Sequence, residues 1–452
     1  MASAMSDAVR RLLGRLVLRL PPPLVLAAFN ALLALAATPI LMLPQAQISP
    51  FSWGDALFTS LSAVTVTGLS VMPLAGHLST FGHVVILVLI QLGGLGLMTF
   101  AVLVLSALGL PIGLTHSAYL KEDLNQTSVR RVFALLAVIL RVVIGCEIAG
   151  TLALAFVFVP VHGLGPGLWH AGFHAVSAFM NAGYSTLPQG LAPYATNPVV
   201  NLVVPLLVIL GGLGYGVLTE IATVRGWQRL SLHAKLMLVG TAGLIVLAVA
   251  LFAALEWSNP ATLGQFDGIG ARLAASWFQG VNPRTAGFTI LDPAGMEDST
   301  TSLFMALMIV GAGPTSTGGG IKVTTLMVML IATVAFFRRQ TELHACGRSI
   351  GIEEVLKVMA LTAISLAVIF VATFLLTLTH QGVFLDVAFE VASAFGTAGL
   401  SRGLTPHLDG FGRAVIMAVM FLGRVGPLTL GFFLATQAQP RIRYPGAQVF
   451  LG

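Results

Sequence analysis

Thr67-Gly68-Leu69-Ser70, Ala182-Gly183-Tyr184-Ser185, Ala286-Gly287-Phe288-Thr289 and Ala398-Gly399-Leu400-Ser401 follow one pattern. Each has a small residue, glycine, a bulky apolar residue, then serine or threonine. The glycines stand 115, 104 and 112 residues apart. A fourfold internal repeat in a very apolar chain predicts four similar walls around one axis. The natural product of that arrangement is a pore.

Composition sets the solvent. The 452 residues are 56% hydrophobic and 9% charged, whereas a soluble domain is roughly 25% charged. The apolar runs 84–108 and 230–255 exceed the ~20 residues that span the hydrocarbon. These runs count against a soluble multidomain protein. The net charge is +6, and sixteen of the 23 Lys and Arg fall in five segments: Arg10, Arg11, Arg15 and Arg19; residues 121–131; residues 225–235; residues 338–357; and Arg441 with Arg443. Lys/Arg-poor stretches alternate with these, so the positive-inside rule puts both termini in the cytoplasm. No basic stretch carries the interleaved aromatics that read bases, so no nucleic-acid partner is expected. Cys146 in an apolar run and Cys346 in a basic loop support neither a disulfide nor a metal site. The apolar run 24–43 behind Pro21-Pro22-Pro23 reads as a first membrane helix, not a cleaved leader.

Each glycine segment lies between two spanning candidates: 24–44 and 79–108, 132–160 and 197–223, 231–256 and 301–337, 355–379 and 411–436. Shorter apolar stretches precede the glycines at 51–64, 168–180, 268–279 and 383–395. Apolar stretches of about 10–14 residues often mark re-entrant segments. Irregular backbone at membrane depth survives only when packed in protein or lining a water-filled cavity. The expected fold is therefore an all-α membrane protein with eight spanning helices and four re-entrant half-helices around one pseudo-fourfold pore.

A second motif repeats in register with the first. Gly93-Gly94-Leu95-Gly96, Gly211-Gly212-Leu213-Gly214, Gly311-Ala312-Gly313-Pro314 and Gly423-Arg424-Val425-Gly426 begin 25, 28, 24 and 24 residues after the first-motif glycines. Such glycines either permit close helix packing or bend helices around a cavity. The third copy continues as Thr315-Ser316-Thr317-Gly318-Gly319-Gly320. Three consecutive glycines and a proline cannot sustain a helix, so a broken helix with an intramembrane loop is expected there.

A dehydrated cation needs oxygen ligands, and four segments supply four carbonyls per ring. Glycine reaches backbone angles closed to other residues and leaves the path open. The following Ser or Thr adds hydroxyls or holds the loop by local hydrogen bonds. Half-helices aim the negative ends of their dipoles at the centre.

These residues carry a resemblance. Thr65-Val66-Thr67-Gly68-Leu69, Asn181-Ala182-Gly183-Tyr184, Asn282-Pro283-Arg284-Thr285-Ala286-Gly287-Phe288 and Gly396-Thr397-Ala398-Gly399-Leu400 resemble the motifs of the Trk/Ktr/HKT superfamily of potassium transporters. The likeness is greatest to the bacterial Ktr-type membrane subunit and covers residues 20 to 437. It implies four M1–P–M2 repeats, with a filter formed by Val66, Thr67, Gly68, Asn181, Ala182, Gly183, Thr285, Ala286, Gly287, Thr397, Ala398 and Gly399. A serine at the first filter glycine accompanies Na⁺ permeation in plant relatives, so Gly68 favours K⁺. The first repeat starts almost at the N-terminus, which favours the Ktr branch over the Trk branch.

The implied division is a cytoplasmic N-terminus 1–20, repeats at 21–115, 116–228, 229–345 and 346–437, and a cytoplasmic tail 438–452. An intramembrane gating loop matches 311–320, with Gly311, Gly313, Thr315, Gly318, Gly319 and Gly320, and the family's last-helix arginine matches Arg424. A mid-membrane arginine costs ~2.5–3.5 kcal/mol on insertion scales, so it should face water or a polar partner. As a fixed charge below the filter it would contact carbonyls of the glycine loop and close the path. The resemblance further implies a homodimer on a cytoplasmic nucleotide-binding regulatory ring, in a bacterial inner membrane. The chain itself carries no cofactor, and K⁺ is the transported ion, with Na⁺ as an additional candidate.

Other residues read less sharply. Arg141 and Glu147 lie six apart, off a common helix face, and suit structural or interfacial roles. Lys322 stabilises the glycine loop or the cytoplasmic mouth. Arg284 should turn from the ion path and brace its loop against an acidic residue. Glu256, Asp267, Asp292, Glu297 and Asp298 either attract cations or form a solvated loop face. His170 and His174 have ligand-like spacing but lack the acid of H-E-x-x-H, and read as packing. Gly318-Gly319-Gly320-Ile321-Lys322 lacks the P-loop order, and no catalytic constellation appears, so the chain is not expected to be an enzyme. Four same-direction copies argue against a transporter of two inverted halves. A Na⁺-coupled K⁺ symporter of the same superfamily remains the alternative function.

Overall fold

The computed structural model describes residues 22–107, 129–224, 226–340 and 342–426. Arg10, Arg11, Arg15, Arg19, Lys121, Arg225, Arg441 and Arg443 lie outside the described residues, as do the proposed terminal segments 1–20 and 438–452. Among the described residues the regular structure is helical apart from a two-stranded hairpin, β1 (Leu343–Ala345) against β2 (Arg348–Ile350).

In chain order the first three helices are α1 (Pro22–Leu41), α2 (Trp53–Val64) and α3 (Thr80–Ala107). Next come α4 (Val129–His162), α5 (Leu164–Phe179), α6 (Pro198–Leu213) and α7 (Tyr215–Thr223). Then follow α8 (Leu232–Glu256), α9 (Ile269–Val281), α10 (Asp298–Ile309) and α11 (Val323–Phe337). After the hairpin come α12 (Ile352–Thr379), α13 (Phe384–Gly396) and α14 (Gly410–Val425). Local chemistry sets their starts. Ser52 and Asp55 form a reciprocal capping box at α2. Asn197 caps α6 with Pro198 at its first position. Ser231 and Asp409 cap α8 and α14.

The glycines of the second motif have two separate tasks. A Cβ on Gly93, Gly211 or Gly423 would strike the carbonyl oxygen of Val64, Phe179 or Phe395, at the C-terminal ends of α2, α5 and α13. Glycine is thus what lets each short helix end against the long one. The fourth residue of the motif breaks the helix. Gly96, Gly214 and Gly426 have φ of 74°, 93° and 91°, angles that helices exclude. α7 leaves α6 at 97°. In the third copy the break widens to the irregular stretch between α10 and α11.

By length and apolarity alone, α4, α8 and α12 qualify as spanning helices among the described residues, and the bent pair α6–α7 makes a fourth. Among the described residues, α3 is interrupted at Gly96 and the third copy between α10 and α11.

The bundle closes on itself. α3 packs on α5, α6 on α9, α10 on α13, and α14 on α2. The short helices α2, α5, α9 and α13 therefore lie inside, each surrounded by longer ones, and carry the fully buried Phe58, Phe179, Phe278 and Phe395. The perimeter is apolar instead: Phe156 is 81% exposed, Phe370 71% and Leu378 64%. Side chains of this kind over whole helices mark a surface covered by lipid. In lipid the helices are held by van der Waals packing, not by expulsion of water, which accounts for the many glycine contacts.

Candidate functional site

After each short helix the chain reverses within a few residues. The amide of Thr67 donates to Ser62 O at 2.9 Å, Ala182 to Ser177 O at 2.7 Å and Ala398 to Ser393 O at 2.8 Å. The third copy uses a shorter return, Ala286 to Asn282 O at 3.1 Å. Beyond the reversal, Val66, Asn181, Thr285 and Thr397 have φ of 56°, 59°, 72° and 49°. Gly68, Gly183, Gly287 and Gly399 have φ of 88°, 68°, 72° and 76°. The residue between each pair has a negative φ, since none appears among the positive-φ positions. An alternating sign of φ turns successive carbonyls onto the same side of the strand. A β-branched residue such as Val66 in this region is a genuine outlier.

The four reversals meet. A Cβ built on Gly68 would strike Ala182 O; one on Gly183 would lie 2.7 Å from Ala286 O; one on Gly287 2.8 Å from Ala398 O; and one on Gly399 would strike Thr67 O. Each glycine faces the carbonyl of the next segment, and the fourth returns to the first. The carbonyl oxygens of Thr67, Ala182, Ala286 and Ala398 thus form one closed ring. Serines missed in the sequence reading hold its back. Ser62 Oγ donates to Leu69 O at 2.8 Å and Ser177 Oγ to Tyr184 O at 2.9 Å. Their common position, six residues before the glycine, was the available signal. Thr65 and Thr67 hydroxyls pair at 2.8 Å. With its amide turned to donate to Ala178 O and Val208 O, Asn181 accepts from the Thr285 hydroxyl at 2.9 Å.

The glycine-rich stretch lies directly against one face of this ring. The Gly319 amide donates to Thr397 Oγ1 at 2.8 Å, and a Cβ on Gly318 would lie 2.5 Å from Thr285 Oγ1. The other face opens into a cavity of about 390 Å³ beside Gly183, Ser185, Gly287 and Asp292. The stretch is pinned along its length. Gly311 donates to Ile321 O at 2.9 Å, Gly313 to Gly212 O at 2.9 Å, Thr317 to Gly211 O at 3.3 Å and Gly320 to Gly423 O at 3.2 Å. Thr315, with φ 52°, accepts from the Tyr215 amide at 3.2 Å.

Arg424 joins three copies at this level. One guanidinium nitrogen donates to Thr317 O in the glycine stretch. Another donates to Gly93 O and, at 3.4 Å, to Gly94 O. Tyr215 Oη donates to Gly94 O at 3.2 Å beside it. Lys322 Nζ donates to Gly318 O at 2.7 Å. Backbone carbonyls, not carboxylates, are thus the described hydrogen-bond partners of both cations.

Several secondary expectations change. Arg284 does not brace against an acid. It is 7% exposed, its Nε lacks a partner, and it faces a small void beside Gly212, Thr241 and Ala312. Glu256 is not a vestibule charge. It is fully buried and accepts from Asn259, Thr262 and the Glu297 amide at 2.6, 2.6 and 2.9 Å, so it staples an outer loop. Glu147 is buried and pairs with Gln91 at 3.0 Å, whereas Arg141 is exposed. His170 and His174 bind protein groups, and no cluster of metal-ligating residues occurs among the described residues.

An apolar helical bundle with backbone oxygens gathered at its centre defines a membrane protein built to handle ions, not an enzyme. The chain belongs to the TrkH family of cation transport proteins, whose model matches residues 25–441. It is similar to the Ktr system potassium uptake protein B of Bacillus subtilis, 44% identical over 96% of this chain and 97% of that one. The protein of the same name from Vibrio alginolyticus is 37% identical over 95% of each chain. The potassium/sodium uptake protein NtpJ of Enterococcus hirae is 38% identical over 96% of this chain and 98% of that one. The crystal structure of the potassium transporter TrkH from Vibrio parahaemolyticus shares the fold, with a TM-score of 0.73 and 18% identity over 92% of this chain and 84% of that one.

Proposed function

We propose that the chain is the ion-translocating subunit of a potassium uptake system. In this reading K⁺ passes through the ring made by Val66-Thr67-Gly68, Asn181-Ala182-Gly183, Thr285-Ala286-Gly287 and Thr397-Ala398-Gly399. The observation that carries it is the cyclic contact of each glycine with the next segment's carbonyl. Four oxygens around one axis, backed by four half-helix C-termini, replace the hydration shell of a cation without adding a fixed charge. The names of the relatives in Bacillus and Vibrio support potassium as the ion.

The architecture is then four M1–P–M2 repeats at 21–115, 116–228, 229–345 and 346–437, with α2, α5, α9 and α13 as the re-entrant pore helices. The glycine stretch 311–320 and Arg424 form the gate. They obstruct the path on the ring's inner face, with both termini cytoplasmic in a bacterial inner membrane. The word "system" in the relatives' names supports a further component, which we assign as a cytoplasmic nucleotide-binding ring beneath a homodimer. A Na⁺-coupled K⁺ symporter is the second reading, favoured by the 38% identity to a potassium/sodium uptake protein.

Flux from liposomes separates the two. A pore moves ⁸⁶Rb⁺ down its gradient in choline buffer and does not change when Na⁺ is added. Flux that requires Na⁺ establishes the symporter, and no flux of either ion removes the function altogether.

A further inference from the structure

The residues just beyond the ring glycines divide the four segments into two kinds. The hydroxyl two residues after the glycine belongs to Ser70, Ser185, Thr289 and Ser401. In three segments it accepts a local amide: Leu187 N to Ser185 Oγ at 3.0 Å, Leu291 N to Thr289 Oγ1 at 3.1 Å and Gly403 N to Ser401 Oγ at 3.0 Å. A hydroxyl has a single proton to donate. Where that proton goes is the difference.

In the first and third segments it stays local. Ser70 donates to Met72 O and Thr289 to Leu291 O. In the second and fourth its shorter contact is to the half-helix, although Ser185 Oγ also lies 3.4 Å from the local Leu187 O. His174 Nε2 lies 2.8 Å from Ser185 Oγ. His174 Nδ1 lies 2.7 Å from His170 O, a carbonyl that only accepts, so Nδ1 carries the ring proton and Nε2 accepts from Ser185. Ser401 Oγ donates to Glu390 Oε2 at 3.0 Å.

His174 and Glu390 occupy the same register, nine residues before their glycines, and both are fully buried. The equivalent residues in the other segments are Thr59, whose buried hydroxyl has no partner, and Phe278, which has no polar atom. The second and fourth segments face each other across the ring, because the contacts run first to second to third to fourth and back.

We propose that His174 and Glu390 are positioning residues that set ion selectivity, by anchoring two opposite segments of the ring to their half-helices. The inference rests on the proposed filter and deepens it. At this register the support is twofold: the second and fourth segments carry a tie that the first and third lack, beside the ties of Ser62 to Leu69, Ser177 to Tyr184 and Gln279 to the Ile290 amide. The tie fixes the distance from half-helix to ring on one diagonal. Loss of it lets the Ala182 and Ala398 carbonyls relax toward a smaller cation.

The test is the Rb⁺/Na⁺ flux ratio of reconstituted full-length protein. His174→Leu and Glu390→Leu are each expected to lower the ratio by about tenfold, the scale of one lost buried bond. Glu390→Gln keeps an acceptor for Ser401 and is expected to hold the ratio within about twofold. Thr59→Val, at the same register but without a bond to lose, should leave it unchanged. Should the leucine variants not fold, Ser185→Ala and Ser401→Ala remove the same bonds together with the local Leu187 and Gly403 amide bonds, and should give at least the same loss. The proposal is overturned by an unchanged ratio in Ser185→Ala and Ser401→Ala, or by equal losses in Glu390→Gln and Glu390→Leu. A Gly68→Ser control separates the failures. If that variant alone loses selectivity, the filter stands and the anchors do not; if it too is unchanged, the filter reading fails.

Discussion

Gly68 carries two constraints that no other residue meets. Its φ of 88° is closed to L side chains, and a Cβ would strike Ala182 O. A left-handed conformation costs a non-glycine residue roughly 1–2 kcal/mol, and the clash adds to it. Serine there must push the second segment outward or turn its own carbonyl away. We expect Gly68→Ser to reduce the K⁺/Na⁺ flux ratio by at least about tenfold, the equivalent of ~1.4 kcal/mol, with the protein still folded. A wild-type ratio would show that Gly68 is not at the selective ring. These glycines were legible in the sequence because the backbone angle leaves one residue type. Their neighbours Val66, Asn181, Thr285 and Thr397 were named only through the family likeness. Nothing in the side chains of Val66 or Thr285 announces a positive φ, and such strain, on the order of 1–3 kcal/mol per residue, is imposed by the surrounding structure.

Among the elements, the glycine stretch is the one whose irregular conformation the sequence foretold, while only its contacts with Arg424 and Lys322 were anticipated. Three glycines and a proline predict a break. They do not predict that Gly319 would donate to Thr397, or that Arg424, expected at the loop carbonyls and found at Thr317, would also reach Gly93. Those pairs are 78, 107 and 331 residues apart, and only the closed bundle joins them. In the proposed gate the arginine acts as a latch, because its carbonyl partners are also what a passing cation would take. Arg424→Ala is expected to raise basal Rb⁺ flux by about tenfold, a change of ~1.4 kcal/mol in the closed-state preference. Deletion of residues 313–319 should raise it at least as far. Flux at or below wild type, at matched protein in the liposomes, would remove the gate. At Gly96 and Gly214 the sequence left packing and bending as alternatives, and only the angle distinguishes a bending glycine from a packing one.

For the whole molecule, ring closure depends on the fourth quarter meeting the first. Arg413 at the start of α14 pairs with Asp55 of α2 at 2.6 Å. Arg402 ties Asp386 of α13 to Thr301 of α10 at 2.6 and 2.8 Å. Burial pushes the Asp55 carboxyl up, but hydrogen bonds from Ser52 and the nearby Arg413 outweigh it and hold the group below its ordinary 3.8. A lowered carboxylate contributes stability above its unfolded value and loses it as pH falls through the folded one. Asp55→Asn should therefore destabilise the protein in detergent at neutral pH by less than about 1 kcal/mol for so partly exposed a pair, read as a lower melting temperature. The deficit should shrink between about pH 5 and pH 3. A deficit independent of pH would exclude the ion pair as its cause. The helical membrane-protein class was the most legible level, because 9% charge and long apolar runs leave few alternatives. Arg284 and Glu256 were misjudged at the same level. Charge alone suggested partners or solvent, while the actual void and hydrogen-bond staple depend on packing between distant loops.

The central claim is that the carbonyls of Thr67, Ala182, Ala286 and Ala398 hold a dehydrated cation between them. Anomalous diffraction from crystals soaked in Rb⁺ measures this directly. The account predicts a peak on the axis of the ring, within coordination distance of all four segments. A ring without a peak, with Rb⁺ bound elsewhere in the bundle, would contradict it.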